Sequence, residues 1–211
     1  IGYLPEAILN ALARLGWSLD DKTEIMSLDT IVENFTLDRI VKAAAGLDPD
    51  KLLSFQAHWM NQLSLDEKVA HCGPYLEKAG LVKNAADPET SQRISQVIVG
   101  MEDRLKIASD ILDFDEFFVA DDELEYDPKA FKKRIRKAAD AVPLLEKVKN
   151  ELVQTSDFSA VGLDKLLHDF VEAEGIGMGQ IIHALRVAVS GKGTGIGMFD
   201  CLAILGKESC V

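Results

Sequence analysis

Apolar residues along the chain recur at helical rather than strand spacing. Over Tyr3–Leu15, Leu4, Ile8, Leu12 and Leu15 follow one another at intervals of four, four and three, the signature of one face of an amphipathic helix. That spacing predicts a buried stripe made of these four residues, closed by Gly16 in the left-handed conformation that glycine adopts cheaply. Start signals recur downstream. Ser27-Leu-Asp-Thr and Thr36-Leu-Asp-Arg each place a hydroxyl cap before an acid in the first turn. Asp48-Pro49-Asp50, Asp87-Pro88-Glu89 and Asp127-Pro128-Lys129 each set a carboxylate acceptor at the cap and proline at the first helical position. Ser64-Leu-Asp-Glu67 fits a capping box, in which each end satisfies the other's orphan amide. Period-two alternation is nearly absent. Val187–Val189 and Ile204–Leu205 are apolar but lie in helical context, so the pattern predicts an all-α fold.

Organisation follows from where the helical pattern breaks. There is no 20–50-residue repeat and no low-complexity tract. One polar joint lies near Gln62–Ser64, and an acidic one, Asp121–Asp127, directly precedes a basic stretch. Three helical parts are expected: 1–62, 63–124 and 125–211. The chain has 211 residues, of which 47% are hydrophobic and 27% charged, as in an ordinary globular protein. No apolar run approaches the ~20 residues of a membrane span. The start, Ile1-Gly2-Tyr3-Leu4-Pro5, has neither initiator Met nor basic n-region, and reads as a boundary inside a longer protein. The three cysteines, Cys72, Cys201 and Cys210, form no CxxC pair and are odd in number, which argues against a disulfide framework and a zinc site. A reducing, cytoplasmic compartment is expected.

Charge sharpens this picture. The net value of −12 speaks against polyanions, but its distribution does not. Residues 1–127 hold 11 Lys+Arg against 25 Asp+Glu, whereas residues 128–211 hold 12 against 10. Contact with a phosphate backbone would therefore concentrate in the C-terminal part. Lys129–Lys137 carries six cations in nine residues. Two readings of it stay open: a solvated helix face, or a phosphate path.

No catalytic constellation emerges. His71 and Cys72 are adjacent, so on a helix they point about 100° apart and make a poor base–nucleophile pair. His58, His168 and His183 are scattered. The acidic joint lacks the central Gly and terminal Glu of an EF-hand, and no metal site is expected. The glycine-rich Ser190–Gly197 fails as a Walker loop, because it lacks a Lys-Ser/Thr pair after its last glycine and a strand before it. It reads as a flexible inter-helix loop whose backbone amides could approach a ligand closely.

Several segments, in order, resemble the region after the KMSKS-type loop of bacterial-type glutamyl-tRNA synthetases, a class I family. Gly2–Ser18 (GYLPEAILNALARLGWS) is similar to the family's GYLPEALLNYLALLGWS. Glu24–Leu28, Phe35–Ile40 and Leu47–Met60 resemble EIFSLEEL, FDLERV and FDPEKLLWLNGHYI. Leu185–Gly191, Gly195–Asp200 and Leu205–Glu208 resemble LRVALTG, GPGLFE and LGKE. The likeness is weakest from about 65 to 175. The resemblance implies a helical stem-contact region (1–62) followed by two helical anticodon-binding domains (63–124 and 125–211). It also implies a tRNA(Glu) partner, no DNA or membrane partner, and a monomer. The family's ligation of glutamate to tRNA needs ATP and Mg bound by HIGH and KMSKS motifs. This chain has neither motif, so it is expected to bind without catalysing and to carry no cofactor. A helical cage on the class I lysine enzyme and a non-tRNA helical scaffold are the alternatives. Glutaminyl enzymes, which use β-barrels for the anticodon, fit less well.

Two sites carry over. Asp103-Arg104-Leu-Lys-Ile107 aligns without a gap to the family's ER(V/C)KTL segment, which implies that Arg104 reads the third anticodon base. A guanidinium fork suits a base's acceptor edge. Arg186, Thr194, Ile196, Met198 and Phe199 match family residues around the splayed anticodon bases, with Ile196 standing for proline and Met198 for leucine. Lys132, Lys133 and Arg136 are the candidate tRNA-backbone contacts.

Overall fold

The computed structural model describes residues 2–41 and 46–211. Among the described residues ten α-helices follow one another and there is no strand. They are α1 (Pro5–Ala13), α2 (Leu28–Asn34), α3 (Pro49–Gln62), α4 (Leu65–Lys78) and α5 (Pro88–Met101), then α6 (Pro128–Phe131), α7 (Ala141–Gln154), α8 (Ala160–Glu174), α9 (Met178–Ser190) and α10 (Met198–Cys210). Between α5 and α6 the chain runs through 3₁₀ turns at Glu102–Arg104, Ala108–Phe117 and Asp121–Glu123. The all-α reading holds.

Most start signals form the caps they predict. Ser27 accepts from the Thr30 amide and Asp48 from Asp50 and Lys51; Asp87 accepts from Thr90 and Asp127 from Lys129. Ser64 and Glu67 close a reciprocal capping box. Thr36 departs from expectation: its side chain caps nothing, and only a three-residue 3₁₀ turn follows.

The stripe assigned to α1 is turned. Leu4 is buried, but Ile8 and Leu12 are 40% and 53% exposed. The inward face carries Ala7, Asn10 and Ala11 instead, and α1 packs on α3. Ala7 and Ala11, at i and i+4, are small residues of the kind that let two helices pack closely. Buried Asn10 closes this corner by donating to Glu24 O (2.8 Å) and accepting from the Met26 amide (3.1 Å). The helix also ends at Ala13, before Gly16. Gly16 has a positive φ of 150°, outside the left-handed helical well, and accepts from the Val41 amide.

Two hydrophobic clusters form the interior. The first joins Leu4, Ala7 and Phe55 from the start of the chain to Leu76, Val97, Met101, Ile111 and Phe117, and takes in Ile196 and Cys201 from the far end. Gln56, fully buried, bridges this cluster. It accepts from the Leu4 amide (2.7 Å) and donates to Lys106 O (3.0 Å), tying α1 to the turn after α5. The second cluster is built from α7, α8, α9 and α10 around Val148, Leu163, Leu167, Ile181 and Leu202. Val189 lies against both, so the corner after α9 is where they meet.

Candidate nucleic-acid interface

That corner is the glycine-rich loop, residues 191–197, between α9 and α10. Gly191 ends α9 in the left-handed conformation (φ 69°). A side chain there would run into the Glu125 carbonyl of the acidic joint. The close approach lets the Asp127 amide donate to Gly191 O (2.8 Å), while the Tyr126 hydroxyl donates to Ala188 O (3.0 Å). The joint is a strap across the α9–α10 corner. Among the described residues no group of His, Cys, Asp or Glu is arranged to hold a metal.

The loop is not slack, contrary to the expectation from its glycines. Lys192 donates to Asp113 O (2.6 Å), Asp115 Oδ1 (2.5 Å) and Glu116 Oε2 (2.7 Å). Glu116 is only 4% exposed. Burial pushes its carboxyl above the ordinary carboxylate range, against the pull of Lys192. Burial also works against the Lys192 charge. The two carboxylates nevertheless hold the ammonium above its ordinary value, because Lys192 is the less buried partner.

Arg104 and Arg186 grip the same loop from opposite clusters. Arg104 follows the C-terminus of α5, where the last carbonyls have no partner within the helix. Its Nε donates to Met101 O (3.0 Å) and its Nη2 to Gly100 O (2.7 Å), which caps the helix. Its Nη1 donates to Gly195 O (2.6 Å), and the guanidinium lies 5.4 Å from the Phe114 ring centre. Arg186 Nη1 donates to the next carbonyl, Ile196 O (2.7 Å). Two arginines separated by 82 positions in sequence thus end on consecutive carbonyls. Each of the three guanidinium nitrogens of Arg104 donates to a backbone carbonyl, which holds the exposed cation in a fixed orientation and leaves two of its five N–H groups over.

The other candidate residues of this region divide. Thr194 is exposed. Ile196 is fully buried and lies over Gly100, where a side chain would come within 2.6 Å of its Cγ2. Met198 is buried in the second cluster. Ile196 and Met198 therefore seat the loop and do not present a face to a base. Phe199 is half-buried, packed on the second cluster with its ring 6.5 Å from His168.

The basic stretch continues α6 as a π turn, Lys132–Arg136, closed by Lys137 N–H to Lys132 O (3.0 Å). The turn splits its cations between two hollows. Lys132 and Arg136 line one with Tyr126, Pro128 and Phe131. Lys133 and Arg134 line another with Gln180 and His183. Among the described residues, none of the six cations reaches a carboxylate within 4.0 Å, in a chain with 35 acids. Partial burial, and after it Arg134, Arg186 and Lys133, push His183 below the ordinary imidazole range.

His71 and Cys72 are separated by the helix as expected: His71 is exposed, Cys72 fully buried. Burial pushes the thiols of Cys72, Cys201 and Cys210 up to about 12, which leaves all three poor nucleophiles. No helix among the described residues is long and apolar enough to cross a membrane.

Sequence reasoning misses the Lys192–Glu116–Asp115 tether, the Tyr126–Asp127 strap and the position of His183. The partners in the tether lie 76 and 77 positions apart, so no local pattern signals them.

Comparison with known proteins bears on this corner directly. Residues 67–211, which contain all of it, match the family model described as anticodon binding domain. The chain is 39% identical over 209 residues to a glutamate–tRNA ligase of Herpetosiphon aurantiacus, covering 98% of this chain and 42% of that protein. It is 33% identical to the glutamate–tRNA ligase of Moorella thermoacetica, again over 42% of the relative. Among solved structures, a glutamate tRNA ligase from Elizabethkingia meningosepticum superposes with a TM-score of 0.84 at 28% identity, covering 99% of this chain and 40% of that one. The chain spans about two fifths of the length of the proteins it matches. With its helical clusters meeting at an arginine-held loop and a matched region of that extent, the chain belongs to the anticodon binding domain family.

Proposed function

We propose that the chain binds tRNA(Glu), reading the anticodon at the 191–197 loop and holding the adjacent backbone with its basic helix. In this reading it is the anticodon-recognition part of a glutamate–tRNA ligase, whose full-length form joins glutamate to tRNA using ATP. The single observation that carries it is the convergence of Arg104 and Arg186 on Gly195 and Ile196, beside a helix of six cations without acidic partners. Unpaired bases are recognised by edge hydrogen bonds and flat side chains set in a basic surround. A scaffold reading has no use for unneutralised cations concentrated in the one part of an acidic chain that is not itself acidic.

Salt dependence tests the backbone half of the proposal. The affinity of the chain for tRNA(Glu) should fall steeply with salt. Replacing Lys132, Lys133 and Arg136 together with Ala should weaken binding and flatten the log K against log salt slope, by up to about 0.9 for each phosphate no longer neutralised. An unchanged slope would return the helix to a solvated face.

A further inference from the structure

The π turn creates a feature that anticodon reading does not use. In an α-helix, residues five apart point about 140° from one another. The wider π turn, closed between residues five apart, brings such residues closer to one face, and π bulges are frequent at functional sites. Arg136 accordingly lies 5.4 Å from the ring centre of Phe131, five residues earlier. Tyr126 meets Phe131 edge-on, with ring centres 5.4 Å apart. The strap fixes Tyr126 through its bond to Ala188 O, yet the residue stays 43% exposed. Together with Pro128 and Lys132 these residues line an open hollow of about 690 Å³ that brings two aromatic rings together with two cations, one of them, Arg136, over the Phe131 ring.

Aromatic rings alone would suit many apolar groups, and two cations alone would suit any anion. Both within one hollow fit a ligand that is flat and apolar at one end and anionic a few ångströms away, the composition of a nucleotide. The volume lies in the range of small-molecule sites. We propose that this hollow takes one unpaired nucleotide of the bound RNA, its base against Tyr126 and Phe131 and its phosphate on Lys132 and Arg136. The site is separate from the Arg104–Arg186 loop, and the inference rests on the tRNA-binding reading above. Base stacking tolerates any base, so the hollow adds affinity and register without sequence preference.

The test uses the full chain and a set of tRNA(Glu) molecules, each abasic at one loop nucleotide. Wild type should lose roughly 5- to 150-fold in affinity at one position outside the anticodon, the cost expected for one stacked base. Tyr126→Leu and Phe131→Leu should each bind intact tRNA more weakly and be indifferent to that abasic change, with an unaltered salt slope. Lys132→Ala with Arg136→Ala should show the converse: a flatter slope and retained abasic sensitivity. Because Phe131 supports the helix, Tyr126→Leu at an exposed position is the decisive variant if Phe131→Leu unfolds. Tight, salt-sensitive binding by wild type and Tyr126→Leu alike, with no abasic position separating them, overturns the nucleotide site and leaves the tRNA reading standing. No binding of any tRNA by wild type overturns both.

Discussion

Replacing Lys192 with Met should destabilise the folded chain by about 2–4 kcal/mol, the largest effect expected of any change at the loop. Removing one partner of a buried ion pair costs about 3–5 kcal/mol, because the remaining charge is left without compensation. The lower range is expected here because Lys192 is 31% exposed, whereas the Glu116 side chain is 2% exposed. The effect should depend on pH in a definite direction. Burial already raises the Glu116 carboxyl, and loss of Lys192 raises it further. The folded variant therefore takes up this proton at a higher pH than its unfolded form. Its deficit against wild type is full above that raised value and shrinks as pH falls through it, where the neutral carboxyl no longer needs a cation. Lys192→Met combined with Glu116→Gln should recover most of the loss at neutral pH. Urea unfolding of wild type and the two variants at pH 7 and pH 5 measures this. A deficit that grows toward pH 5 would mean that the buried carboxylate is not the cause.

The second large effect concerns Arg104. The structure gives this side chain two duties, because its guanidinium caps α5 and also holds Gly195. A role limited to the cap and tether would make Arg104→Gln weaken every tRNA alike. A role in base reading adds a term that depends on the base. A fork set against one base edge loses about 1–3 kcal/mol when the base changes, whereas a phosphate contact sees the same group throughout. Arg104→Gln should therefore narrow the preference for a tRNA whose anticodon ends in C over one ending in G, by roughly 5- to 150-fold. Arg104→Lys should keep the charge and still lose discrimination, since an ammonium has no planar fork. Parallel losses on both tRNAs, with the ratio intact, would confine Arg104 to its cap.

How much of this is legible in the sequence depends on the range of the interaction concerned. Caps are local, and those at Ser27, Asp48, Ser64, Asp87 and Asp127 all form. Thr36 does not follow, because only a short 3₁₀ turn comes after it. The orientation of α1 departs from its periodicity for a different reason. Periodicity marks where large apolar residues lie, but the helix buries its alanines against α3 and leaves Ile8 and Leu12 outside. Whether a helix packs by size or by closeness of approach is decided by its neighbour.

The glycine loop shows the same limit at longer range. Its glycines suggest slackness, and Gly191 does need its positive φ. Yet the loop is held by Lys192, Arg104, Arg186 and the Asp127 amide, and the partners come from segments 64 to 91 positions away as well as from α9. Family likeness singles out Arg104 and Arg186 as candidates but does not say that Ile196 and Met198 are buried. The basic helix is visible as six cations. Its division between two hollows is not, because a π turn has no sequence signature and every angular spacing assumed for an α-helix fails across it.

The most direct test of the central claim is equilibrium binding of the whole chain to two tRNAs identical except for the third anticodon base. The expected result is salt-sensitive binding to the tRNA(Glu) anticodon ending in C, and weaker binding by about 1–3 kcal/mol when that base is G. Equal affinity for the two, or no affinity for either at low salt, would contradict it.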